Sequence, residues 1–210
     1  MKLADIHSHR SWPDEATIRN LPFGEADQVL SSPVSGLFST GIHPWHSDMP
    51  TDNWFEKLQT YCADPRIVLV GECGLDKNSA VSIQLQTAIF EKHILLSEKF
   101  SKPLIIHCVG CFNELIALRN KHNPSQKWII HGFRGKPALA VQILRTGCDI
   151  SFGEKFNPES VRIVPADRLY IETDESTLPI ADIYLKIASA KGCNTDELRA
   201  GNILISKFTI

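Results

Sequence analysis

Ile67-Val68-Leu69-Val70-Gly71-Glu72 is the stretch from which the fold is read. Four consecutive apolar residues run without alternation and end, after a glycine, in a carboxylate. A strand with one wet face alternates apolar and polar residues. A run apolar at every position belongs in a parallel sheet covered by helices on both sides. Leu104-Ile105-Ile106-His107 repeats the arrangement with an imidazole in place of the carboxylate. Outward from these two, strands are expected at Lys2–His7, Leu37–Ile42, Ile67–Glu72, Pro103–His107, Lys127–His131, Gly147–Phe152 and Arg168–Glu172. An eighth is read at Ala16–Leu21.

Helical patterns alternate with the strands. Asn53–Cys62 gathers Trp54, Phe55, Leu58 and Cys62 on one side, and Val81–Phe100 carries a broad apolar stripe. Phe112–Lys121, Pro137–Thr146, Leu178–Lys191 and Thr195–Lys207 complete the set. Pro137 suits a first helical turn, Gly147 and Gly192 suit helix ends, and Asn194 with Glu197 forms a capping box. Repeated strand–helix units leave a closed β/α barrel or an open doubly wound sheet. The interval from His9 to Gly41 is too short for two full strand–helix units. In a barrel, one or two outer helices are therefore reduced there.

The 210 residues fit one domain, 43% hydrophobic and 22% charged, as in ordinary globular proteins. The first residues are too polar for a signal peptide, and no apolar run reaches the roughly 20 residues of a membrane span. A cytoplasmic protein without a membrane partner is expected, and no obligate protein partner is evident. A net charge of −2 confines nucleic-acid binding to a local patch. Of the six cysteines only Cys108 and Cys111 form a C-x-x-C, and they are read as reduced core residues.

The chemistry lies at the strand ends. His7 and His9 are two apart, so alternation sends both to one face, where they can converge on one ion. Glu72, His107 and His131 each end a strand, and Asp174 follows the last one. The carboxyl ends of strands form the rim where barrel and open α/β enzymes alike place their sites. Four imidazoles and two carboxylates exceed the needs of one tetrahedral ion. Two ions sharing a carboxylate would use all six, activating water and clamping the oxygens of a reacting group. His93 and His122 lie on or beside helices and are read as structural.

Asp5-Ile-His7-Ser-His9, Gly41-Ile-His43-Pro44, Gly71-Glu72-Cys-Gly74-Leu75-Asp76, Pro103-Leu-Ile-Ile-His107, His131-Gly-Phe133-Arg-Gly135, Ser151-Phe-Gly153 and Glu172-Thr-Asp174, in this order, resemble the TatD family of metal-dependent hydrolases. The likeness runs from residue 2 to about residue 176, and Asn202 with Phe208 echoes the family's closing helix. It implies a TIM-type (β/α)8 barrel of the amidohydrolase superfamily, two divalent ions and deoxyribonuclease activity from a 3′ end. It implies His7, His9 and Asp174 on one ion, His107 and His131 on the other, and Glu72 bridging. Asp174 would orient or deprotonate the attacking water, and Asp76 would stand outside the ligand shell. Zn, Mn, Mg, Ni or Fe all suit such mixed ligands. Many relatives carry an arginine where this chain has Val109, so Arg134 is read as a replacement cation. Arg134 and Lys136 are expected to meet a phosphate, with Arg10 and Lys155 as weaker candidates. His43 and Trp45 are expected to line the cleft, the indole stacking on a base. The leading expectation is a DNA phosphodiesterase. Hydrolysis of a small-molecule C–N or ester bond, or metal binding without turnover, are the alternatives.

Overall fold

The computed structural model describes residues 2–10, 16–49 and 52–208. Eight strands follow one another in sheet order: β1 (Asp5–Ser8), β2 (Thr17–Pro22), β3 (Leu37–Gly41), β4 (Ile67–Asp76), β5 (Leu104–Val109), β6 (Trp128–Ile130), β7 (Asp149–Phe152) and β8 (Leu169–Ile171). The helices are α1 (Phe23–Leu30), α2 (Trp54–Ala63), α3 (Ile83–Phe100), α4 (Phe112–His122), α5 (Pro137–Arg145), α6 (Pro158–Ile163), α7 (Ile180–Lys191) and α8 (Ala200–Ile205). Strand order and strand–helix alternation are those of a TIM-type (β/α)8 barrel, and the doubly wound alternative falls away. The shortening near the N-terminus is also located. Eight residues separate β1 from β2, fewer than the dozen or so a helical crossover takes, and the one helix between β2 and β3 is the eight-residue α1.

The contacts group into two compact units, residues 20–128 and residues 1–19 with 129–210. In the first, β3, β4 and β5 pair in parallel, with Thr40 opposite Val70 and Gly74 opposite His107. Ile67, Val68, Leu69 and Val70 are all fully buried, as the unbroken apolar run demands. β4 continues past Glu72, the expected end, as far as Asp76, and all ten of its residues are buried. Gly74 makes the extension possible. A Cβ there would lie 2.0 Å from the carbonyl oxygen of His107 on β5, so a larger residue would push the two strands apart.

His93 on α3 belongs to this core. Its Nε2 accepts from the Ile42 N–H at 2.9 Å, and its Nδ1 donates to the Ile89 carbonyl at 2.8 Å. The neutral ring satisfies both partners, and burial pushes its pKa down to about 4. Between roughly pH 6.5 and 4 the unfolded chain therefore holds a proton that the native ring refuses. Stability is complete above that window and falls as pH drops through it, by up to about 3 kcal/mol. Urea unfolding at about pH 7 and pH 4.5 measures the loss. His93→Gln should flatten the dependence, and an unchanged slope in that variant would count against this origin.

In the other unit β7 pairs with β6 and β8 in parallel, and a parallel bridge from Ser8 to Asp174 joins β1 to the segment after β8. Tyr184 on α7 donates its hydroxyl to the Ala4 carbonyl at 2.9 Å. α8 approaches β1 so closely that a Cβ on Gly201 would come within 2.9 Å of the Ala4 methyl. The single helix expected over Thr195–Lys207 is two pieces. A 3₁₀ turn at Thr195–Glu197 carries the Asn194–Glu197 capping box, and α8 begins after Leu198 and Arg199. α6 also escaped the sequence reading; six residues give too little periodicity, and its start is set by Pro158 and by Asn157 capping two N–H groups.

Candidate active site

In the unit of residues 20–128 the site is built on Glu72. Its Oε1 lies 3.0 Å from His107 Nδ1 and 3.3 Å from His43 Nε2. Asn20 fixes the backbone here, its Oδ1 accepting both the Glu72 N–H and the Ser39 hydroxyl. The other nitrogen of His107, Nε2, is 3.1 Å from Asp76 Oδ2, which also accepts the Trp45 indole N–H at 2.7 Å. Gln86 holds Asp76 from behind, accepting its N–H and donating to its carbonyl. Burial opposes ionisation of Asp76. The hydrogen bonds from the Asn78 N–H, Trp45 and His107 outweigh it and hold the carboxyl below the ordinary range.

These bonds decide which nitrogens can bind a cation. With Nε2–H donated to an ionised Asp76, a neutral His107 ring would offer Nδ1 to a cation shared with Glu72. A carboxylate orienting one ring nitrogen while the other ligates is the arrangement that metal-binding histidines use. His43 differs. Its Nδ1 accepts the Trp45 N–H at 3.2 Å, which leaves the proton on Nε2 facing Glu72. His43 is thus a donor to Glu72, although its ring stands 4.4 Å from that of His107. Trp45 is 56% exposed and packs edge-on against His43 at 4.8 Å, so an open aromatic face accompanies the cluster.

In the other unit, Asp174 Oδ1 lies 3.8 Å from His7 Nε2 and 3.5 Å from His9 Nε2. Two ligands about 2.1 Å from a tetrahedral ion stand ~3.4 Å apart, so these separations suit one cation. His131 joins them. Its ring is 4.5 Å from that of His7, and one ligand atom each from His7, His131 and Asp174 fall within 4.8 Å of one another. The family likeness groups His131 with His107; within its own unit its neighbour is His7. Glu172, fully buried, receives His131 Nδ1 at 3.3 Å and the Gly132 N–H at 2.6 Å on one oxygen. Burial works to raise its pKa, but His131 and the nearby His7 more than offset it and keep the carboxyl low. Glu172 thus orients the His131 ring through Nδ1. His7 is fully buried, whereas the His9 and Asp174 side chains are 33% and 27% exposed, so the cluster opens to solvent on their side.

Asp174 has a left-handed backbone, φ +52°, held by hydrogen bonds from its N–H to the His7 carbonyl and from the His9 N–H to its own. A cavity of about 320 Å³ beside it is lined by Arg134, Lys155, Glu172 and Asp174, among others. Arg134 and Lys155 are therefore placed at the acid end of this cluster. Lys136 is not in that lining; its carbonyl accepts from Leu139 and Ala140 at the start of α5. Arg10 is taken as well, its guanidinium donating to the carbonyls of Ser176 and Leu178. It fastens the segment after Asp174. His122 pairs with Glu91, and no cysteine is in a disulfide. Sequence reading passed over Glu172 as a site residue and set Asp76 apart. The signal was available in spacing, since Glu172 shares the Glu-x-Asp alternation with Asp174 and Asp76 lies four residues past Glu72.

A (β/α)8 chain whose strand ends carry two clusters of imidazoles and carboxylates has the architecture of metal-dependent hydrolases. Comparison makes this specific: residues 26–182 match the model of the TatD related DNase family. The 3′-5′ ssDNA/RNA exonuclease TatD of Klebsiella pneumoniae (strain 342) is 30% identical over 186 residues, covering 82% of this chain and 70% of that one. An uncharacterized metal-dependent hydrolase of Buchnera aphidicola subsp. Baizongia pistaciae is 34% identical over 152 residues, covering 68% of this chain and 57% of that one. Among solved structures, the TatD homologue YJJV of Escherichia coli K12 superposes with a TM-score of 0.80 at 18% identity, over 97% of this chain and 95% of that one. The chain belongs to the TatD family of metal-dependent hydrolases. No helix among the described residues is long and apolar enough to cross a membrane.

Proposed function

We propose that this protein removes nucleotides from the end of a single-stranded nucleic acid, DNA in the first instance, by metal-assisted hydrolysis of the phosphodiester bond. One observation carries the reading. Asp174 faces both His7 and His9 while remaining open to a cavity that Arg134 and Lys155 line. His7, His9, His131 and Asp174 are the donors for one divalent ion, and Glu72 with His107 are donors for another. Bound divalent ions would make water nucleophilic near neutral pH and draw charge from the phosphoryl oxygens. The chain's own groups do the rest. Asp174, at the exposed edge, takes the proton of the attacking water. Arg134 offers a planar fork to the phosphate, supplying the cation that Val109 does not. His43 donates its Nε2–H to Glu72, and the exposed face of Trp45 is suited to stacking on a base. The relatives named for ssDNA and RNA exonuclease activity are consistent with this substrate.

The test is a 5′-labelled single-stranded DNA incubated with the purified protein and Mn²⁺ or Mg²⁺. A ladder shortening one nucleotide at a time, with release of mononucleotides, is expected. Intact DNA alongside turnover of cyclic amides or carboxylic esters would replace this reading with small-molecule hydrolysis. Arg134→Ala should lower kcat/KM on DNA about tenfold, the modest size reflecting an exposed cation. An equal loss on an uncharged ester would show that the arginine does not act on phosphate.

A further inference from the structure

Two tripeptides, His7-Ser8-His9 and Glu172-Thr173-Asp174, supply most of one cluster, and their middle residues point away from it. Ser8 and Thr173 are both buried. Their hydroxyl oxygens are 2.8 Å apart, and Thr173 Oγ1 is 2.7 Å from Asp5 Oδ2. The other Asp5 oxygen accepts the Thr173 N–H at 3.0 Å. Thr173 has one hydroxyl proton; with Asp5 ionised it goes to the carboxylate, and Ser8 donates to Thr173. Asp5 thereby grips Thr173 twice, at backbone and side chain, and Thr173 grips the residue between the two histidines.

Asp174 needs such a grip. Its left-handed conformation is one that residues with a Cβ seldom adopt, and it persists where surrounding bonds over-determine it. The peptide entering Asp174 comes from Thr173, which Asp5 immobilises. Its own N–H and carbonyl are bound to His7 and His9. We infer that the buried chain Ser8–Thr173–Asp5 is a positioning device: it locks the spacing between the His-x-His and Glu-x-Asp tripeptides and so sets the ion affinity of the His7/His9/Asp174 cluster. This inference rests on reading that cluster as an ion site.

The experiment is a calorimetric Mn²⁺ titration of the metal-free full chain, following the binding event that His7→Ala abolishes. Thr173→Val keeps the shape and removes the hydroxyl; it should weaken that event by about 10- to 100-fold, the usual cost of losing a partner behind a ligand. Thr173→Ser restores the hydroxyl and should bind within about threefold of the parent protein. Ser8→Ala, which cuts the other end of the chain, serves as a second probe and should weaken binding in the same direction. Thermal unfolding of the metal-free variants shows whether each is folded. A folded Thr173→Val or Ser8→Ala binding as tightly as the parent would overturn the inference alone. So would a Thr173→Ser that loses as much as Thr173→Val, since shape rather than the hydroxyl would then matter. A parent protein with no Mn²⁺ event would instead overturn the ion-site reading on which the inference stands.

Discussion

The double substitution His7→Ala/His9→Ala should remove the ion held with Asp174 and lower nucleolytic turnover by at least about 10³-fold. His7 and His9 contribute two of the four donors proposed for this ion, with His131 and Asp174, and their backbone bonds to Asp174 survive replacement of the side chains. β1 is held by the Ser8–Asp174 bridge and by the Asp5 N–H bonded to the Ala16 carbonyl. The variant should therefore fold and lose chemistry. Elemental analysis of metal-loaded protein should show the loss of metal, and the labelled-DNA assay should show the loss of turnover. If turnover survives while metal is gone, the six strand-end residues are not the catalytic set.

Much of this was legible because alternation and strand-end position are local properties. The run Ile67–Val70 announces a doubly covered strand, and the polar residue after it, Glu72, falls in that strand's carboxyl-terminal half. The same reading places His7, His9, His107, His131 and Asp174. What stayed hidden depends on groups distant in sequence. His107 lies 31 residues from Asp76, and His131 lies 41 from Glu172. Spacing alone does not say which acid orients which ring. Arg10 looks like a phosphate cation until the carbonyls of Ser176 and Leu178 are seen to occupy it. α1 carries Gly24 and two acids in eight residues, a weak pattern that forms beside α2 with Asp27 meeting Lys57. His43 is the subtler case. Sequence placed it beside the site, and only the Trp45 N–H on Nδ1 distinguishes a donor to Glu72 from a ligand.

Asp174→Asn should cut kcat by about 10²- to 10⁴-fold while the fold is unchanged, the span that a positioned general base contributes. Asparagine is the informative replacement because of the backbone. At φ +52° both Asp and Asn are tolerated, whereas alanine would add conformational strain to the chemical loss. The amide retains an oxygen near the place of Oδ1, where His7 and His9 converge, so part of the ion affinity should survive. It cannot accept the proton of the attacking water. The two roles of Asp174 then separate: metal titration reports on donor capacity, and single-turnover cleavage at saturating Mn²⁺ reports on proton removal. With the ion restored by saturation, a rate still depressed at least about 100-fold identifies Asp174 as the base. Recovery to within a few-fold of the parent rate under those conditions would reduce it to a ligand, leaving proton removal to another group on the rim.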